Sequence, residues 1–116
     1  MRLFPRTLLA LAATAGIAAS AQAAVTLYEE QAARAEEQRI IRSPIAGIEN
    51  SRWFDYIGNV NETQKELSSD LRRASDSEDL RDAWDEYRIE LRGQRSHYVR
   101  EMREDGYRYT QVDVID

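Results

Sequence analysis

The stretch SRWFDYIGNVNETQKELSSDLRRASDSEDLRDAWDEYRIELRGQRSHYVREM, residues 51–102, decides the fold. Its apolar or neutral positions recur as Trp53, Ile57, Val60, Gln64, Leu67, Leu71 and Ala74, alternating steps of four and three, which draws one stripe along a helix. A second stripe follows: Leu80, Trp84, Tyr87, Leu91, Gln94 and Tyr98, with Met102 one place beyond the strict next position. Each large side chain left in water would forfeit roughly 1.5–3 kcal/mol, so the two stripes need each other. The expected class is all-α, an antiparallel helical hairpin.

Ser75-Asp76-Ser77-Glu78 separates the stripes, with Ser75 and Glu78 at capping-box spacing and either serine able to cap the second helix. So short a turn makes the helices antiparallel neighbours. Gln64 and Gln94 on the seam either fix its register or lie at wet edges. Gly58-Asn59 interrupts the first helix with poor formers, and Asn59 and Glu62 repeat the capping spacing. Because the stripe keeps phase across the gap, one bent helix is expected there.

The chain divides into 1–23, 24–44, 45–105 and 106–116. Residues 1–23 combine Arg2 and Arg6, an apolar run over 8–19 and Ala21-Gln22-Ala23, the signature of a cleaved secretory leader. The run is too short to span a bilayer, so no stable membrane anchor is expected after cleavage. No paired arginines precede it, which favours the general secretion route and a periplasmic destination, with secretion from the cell as second choice. Cysteine is absent, so disulfides, thiol catalysis and thiolate metal sites are excluded. Losing Arg2 and Arg6 takes the formal charge from −5 to −7, and so acidic a chain repels nucleic acid. One thin domain remains, which self-association into a homodimer would thicken.

In 24–44, Thr26 and Glu29 sit at capping-box spacing and a helix is expected over 27–42, with a thin apolar face of Tyr28, Ala32, Ala35, Ile40 and Ile41. It either packs on the hairpin or projects as an arm. Ser43-Pro44 ends it, and residues 45–48 form an apolar connection across the end of the bundle. Gly106 stops the last helix. Residues 107–116 then carry β-branched and aromatic residues with no helical stripe, predicting an extended or strand-like tail.

Acids (Asp76, Glu78, Asp79, Asp82, Asp85, Glu86, Glu90) crowd the start of the second hairpin helix and bases (Arg92, Arg95, Arg100, Arg103) its end. The helix dipole accounts for that polarity without a ligand, and no calcium-loop spacing is present. His97, the only histidine, meets Glu101 one turn on, and no nucleophile, phosphate loop or metal-binding pattern accompanies it. No catalytic residue, cofactor or metal is expected, and the chain is read as a non-enzyme. The expected function is protein–protein interaction with an envelope protein, and candidate contacts are Trp53, Phe54 and Tyr56, an exposed strip of Arg88, Arg92 and Arg95, and Tyr107 with Tyr109 in the tail. The alternative is a stress-protective chaperone or divalent-cation binder using the acidic helix end.

Overall fold

The computed structural model describes residues 27–110. Three helices follow in order: α1, Tyr28–Glu37; α2, Ser51–Arg73; and α3, Ser77–Glu104, with a single 3-10 turn at Ile45–Gly47 between α1 and α2. The last helix is the spine. Both other helices pack on it, and α1 and α2 scarcely meet each other. The expected leader (1–23) and the far end of the tail lie outside the described residues.

The hairpin is present, with one change of phase. Trp53, Val60 and Leu67 are buried as the stripe requires, but Tyr56 and Thr63 take the inner positions beside them. Ile57 is only half-buried and Gln64 is exposed. Hydropathy alone ranks isoleucine above tyrosine; here the tyrosine wins because its hydroxyl has a backbone amide to hold. Gln94 donates to Thr63 Oγ1 at 2.6 Å across the seam, a register contact, whereas Gln64 stays at the wet edge. The helix α2 runs unbroken through Gly58-Asn59, and its N-cap is Asn50, whose side chain accepts from the Trp53 amide at 3.1 Å.

At the turn the cap is Asp76, not a serine. Its carboxylate accepts the Asp79 amide at 2.8 Å, and Asp79 reaches back to the Ser75 amide (3.1 Å) and hydroxyl (2.9 Å). A charged acceptor outcompetes a hydroxyl for amides at the positive end of a helix dipole. Those bonds hold the Asp79 carboxyl below its ordinary value. Its stabilising contribution is therefore complete above the unfolded carboxyl range and fades only as pH falls through the lowered one.

At the far end Gly106 stands at φ 96°, its amide bonded to Arg103 O (3.0 Å) and that of Tyr107 to Met102 O (2.8 Å). This is a Schellman stop, and it turns Tyr107 back onto the core. Gly106→Ala should cost about 1 kcal/mol, because a Cβ is strained at that φ although space is open around it. A urea titration would check this; an unchanged midpoint would show that the turn does not constrain the tail.

The first helix departs most from expectation. It is neither a projecting arm nor packed through Tyr28 and Ala35, both exposed; Ala33 and Glu36 face inward. Alanine at 33 permits close approach to α3, and Glu36 turns in because Arg95 waits there. The contacts ascend together: Glu29 lies 4.0 Å from Arg81, and Tyr87 donates to Glu37 at 2.5 Å. So α1 runs parallel to α3. It ends at Glu37, five residues earlier than its composition predicts, in a tightened turn where the Arg39 and Ile40 amides bond Glu36 O and Glu37 O. From there residues 38–50 continue the ascent without regular helix apart from the 3-10 turn at Ile45–Gly47, carrying Ile41 to Tyr56, Ile45 to Tyr98 and Asn50 to Met102. Ile45 is buried and Ile48 half-buried at the bundle end, as the apolar connection predicts. Ala46 there adopts φ 56°, a left-handed turn that costs a non-glycine residue about 1–2 kcal/mol.

Candidate functional site

The densest convergence of side chains lies where the 38–50 connection crosses α2 and α3. Tyr56 and Tyr98 stack there, centroids 4.7 Å apart and planes 11° from parallel, and Trp53 tilts against both. Each tyrosine hydroxyl accepts a backbone amide of the connection: Ile41 N–H to Tyr56 at 2.9 Å, and Ile45 N–H to Tyr98 at 3.0 Å. Extended chain has no helical carbonyls to satisfy its amides, and a buried amide left bare costs about 1–3 kcal/mol. The stacked pair supplies the missing acceptors.

One turn away, Glu36, only 5% exposed, forms an ion pair with Arg95. Beside it Tyr87 donates to Glu37, and burial followed by that carboxylate pushes the Tyr87 hydroxyl up to about 12. Burial likewise raises Tyr56 and Tyr98 above the ordinary phenol value. All three keep their protons at neutral pH, so they serve as donors and acceptors and not as bases. Arg34 lies 4.7 Å over the Trp84 ring and closes the lower end of the layer.

The expected interaction residues scatter. Trp53 and Tyr56 are core; Phe54, between them in sequence, points outward at 55% exposure. Arg88, Arg92 and Arg95 do not form an exposed strip. Arg95 is turned inward by Glu36, and Arg88 is half-buried with Asp85 3.3 Å away and its Nε buried without a partner. Arg92 alone of the three stays exposed. Tyr107 and Tyr109 fold against the core, half-buried, and residues 107–110 form no strand. The six residues after Thr110, where a strand was also expected, lie outside the described residues.

His97 lines an open groove of about 400 Å³ together with Arg52, Asp55, Gln94 and Glu101. Its Nε2 lies 2.7 Å from Glu101 and its Nδ1 2.9 Å from an Arg100 nitrogen. A guanidinium only donates, so Nδ1 accepts and Nε2 carries the proton. Both ring nitrogens are engaged, and Glu101 is also held by Arg52. No serine, threonine or cysteine lines that groove. Three of the acids at the start of α3 have partners within the chain: Asp76 caps, Asp79 holds Ser75, and Asp85 pairs with Arg88. Among the described residues, no three His, Cys, Asp or Glu side chains are placed to hold a metal ion.

No protein-family model, curated protein or solved structure matches this chain. The chemistry of the residues therefore stands by itself, and among the described residues no helix is long and apolar enough to cross a membrane.

One group in the layer works against the fold. Burial, then the neighbouring charges of Glu66 and Glu86, raises the Glu90 carboxyl above its ordinary value. A raised carboxyl means that the folded chain binds the proton more tightly, so this contribution lowers stability as pH rises past the unfolded carboxyl value. Glu90→Gln should stabilise the fold at pH 7 by at least the about 0.2–0.5 kcal/mol that a like-charged i,i+4 pair costs, with the gain vanishing near pH 4. Paired urea titrations at the two pH values check the sign; destabilisation at pH 7 would mean that Glu90 serves a contact stronger than the repulsion.

Proposed function

We propose that this chain is a small exported, non-catalytic helical protein that acts by binding another envelope protein and that associates with copies of itself. The observation that carries this reading is the division of labour between inside and outside. Groups able to do chemistry are spent on holding three segments together: Tyr56 and Tyr98 on backbone amides, Glu36 on Arg95, His97 on Glu101. Meanwhile Phe54 (55% exposed) and Ile89 (58% exposed) stand on the outer sides of α2 and α3 with no packing duty. Exposed aromatic and branched side chains on rigid helices are the usual anchors of protein interfaces.

Co-purification from the envelope fraction tests it, comparing the wild-type chain with Phe54→Ser and Ile89→Ser. The expected result is a retained protein, or a dimer in concentration-dependent light scattering, that one of these substitutions removes while helix content is unchanged. A chain that stays monomeric and retains the same proteins in all three forms would defeat the reading.

A further inference from the structure

The open groove between α2 and α3 holds polar groups that the fold leaves idle. At about 400 Å³ it is of the size that takes a small molecule. Each wall is one helix face: Arg52, Asp55 and Asn59 follow one another at single-turn steps along α2, and Gly93, His97 and Glu101 do so along α3, with Gln94 beside them. Arg52 is held by Glu101 and Asp105, and the His97 ring donates to Glu101. Asp55 and Asn59, by contrast, have no side-chain partner among the described residues. Gln94 gives an amide hydrogen to Thr63, while its oxygen is buried without any donor. Such an acceptor works against folding unless a donor comes from elsewhere. Charge points the same way, since one guanidinium, Arg52, stands among the carboxylates of Asp55 and Glu101.

Gly93 keeps the groove open. It lies in the interior of α3, where glycine is a poor helix former, and a Cβ built on it meets nothing within 4 Å, so close packing does not require it. Any larger side chain at 93 would stand on the groove wall one turn before His97.

We propose that this groove binds a primary alkylammonium ion, with the Asp55 carboxylate, the Asn59 amide oxygen and the Gln94 amide oxygen as its acceptors and the gap at Gly93 admitting the alkyl stem. An ammonium carries three donors and no acceptor, which suits three oxygens on separate side chains; the planar fork of a guanidinium suits one carboxylate gripped twice. Tyr56 and Tyr98 also line the groove, and with their hydroxyls engaged by the Ile41 and Ile45 amides they offer the stem aromatic carbon. The acidic chain as a whole, at formal charge −5, draws cations toward it. The site does not rest on the outward Phe54 and Ile89. A free diamine and a lysine side chain end in the same ammonium, and the test separates them.

In the isotope-labelled full-length chain, the side-chain amide resonances of Asn59 and Gln94 are followed while cadaverine, a lysine capped at both its α-amino and carboxyl ends, or the uncharged diol of cadaverine's length is added. Saturable shifts of both resonances are expected with cadaverine and none with the diol. Saturation by the capped lysine as well would make a partner's lysine a sufficient ligand, and saturation by cadaverine alone would restrict the site to a free amine. Asp55→Asn should weaken binding about tenfold or more, the factor that one hydrogen bond to a charged group is worth. Gly93→Leu, which improves the helix, should abolish the shifts without lowering the thermal midpoint. Failure of both amines to saturate, equal shifts with the diol, or undiminished binding in Asp55→Asn or in Gly93→Leu would overturn the proposal.

Discussion

Replacing Arg95 by methionine is expected to remove about 3–5 kcal/mol of stability, because Glu36 would be left charged and without its partner at a site where water hardly reaches. That loss is comparable to the whole stability of a chain this small. The informative comparison is the double variant. Glu36→Leu with Arg95→Met leaves no charge to strand, and well-packed apolar replacements of buried ion pairs are often neutral or stabilising, so most of the loss should return. Urea midpoints at constant slope would measure both. A single-variant loss below about 1 kcal/mol would place the pair in effectively aqueous surroundings, where ion pairs are worth that little.

The second large effect belongs to Tyr98, which has no room to relax: it is among the largest fully buried side chains. Tyr98→Ala should cost about 3–5 kcal/mol through lost burial and the cavity left beside Trp53 and Tyr56. Tyr98→Phe keeps the ring and removes only the acceptor of the Ile45 amide, so about 1–3 kcal/mol is expected. Amide exchange locates the damage. The Ile45 amide should lose protection in Tyr98→Phe and that of Ile41 in Tyr56→Phe, each without the other. Equal losses at both amides would mean that the connection detaches as one unit. A pH dependence follows from the same burial. Tyr56, Tyr87 and Tyr98 are all raised, Tyr87 to about 12, so the folded chain holds phenolic protons that the unfolded chain gives up near pH 10. Stability should therefore be intact below that value and fall as pH climbs from 10 toward 12, less steeply in Tyr87→Phe.

Much of the hairpin could be read in the residues themselves. Trp53, Val60, Leu67, Trp84, Tyr87, Leu91, Tyr98 and Met102 lie on the expected faces, because burial of large apolar side chains dominates the choice of face. Gly106 stopped α3 where an αL residue was needed. What periodicity missed was polar. Nothing in hydropathy says that Glu36 turns inward or that Thr63 replaces Gln64, since both depend on a partner 59 or 31 residues away. The early end of α1 has the same origin. Ala, Glu, Gln and Arg favour helix through residue 42, but Tyr56 accepts the Ile41 amide and thereby competes with the next helical bond. For the candidate site, aromatic clustering drew attention to 53–56, where Trp53 and Tyr56 are core. It could not distinguish the outward Phe54 from its buried neighbours, because a helix separates adjacent residues by about 100° and only the partner helices decide which of them points out.

The parallel seating of the first helix on the last has a consequence for birth order. Glu36 leaves the ribosome 59 residues ahead of Arg95, an interval of about 3–12 s at ordinary elongation speeds. For most of it Tyr28–Glu37 has nothing to lie on, since its resting place begins only at Ser77. Any targeting factor or holdase that binds nascent chains meets this region open and unclaimed until Ser77–Glu104 has been made.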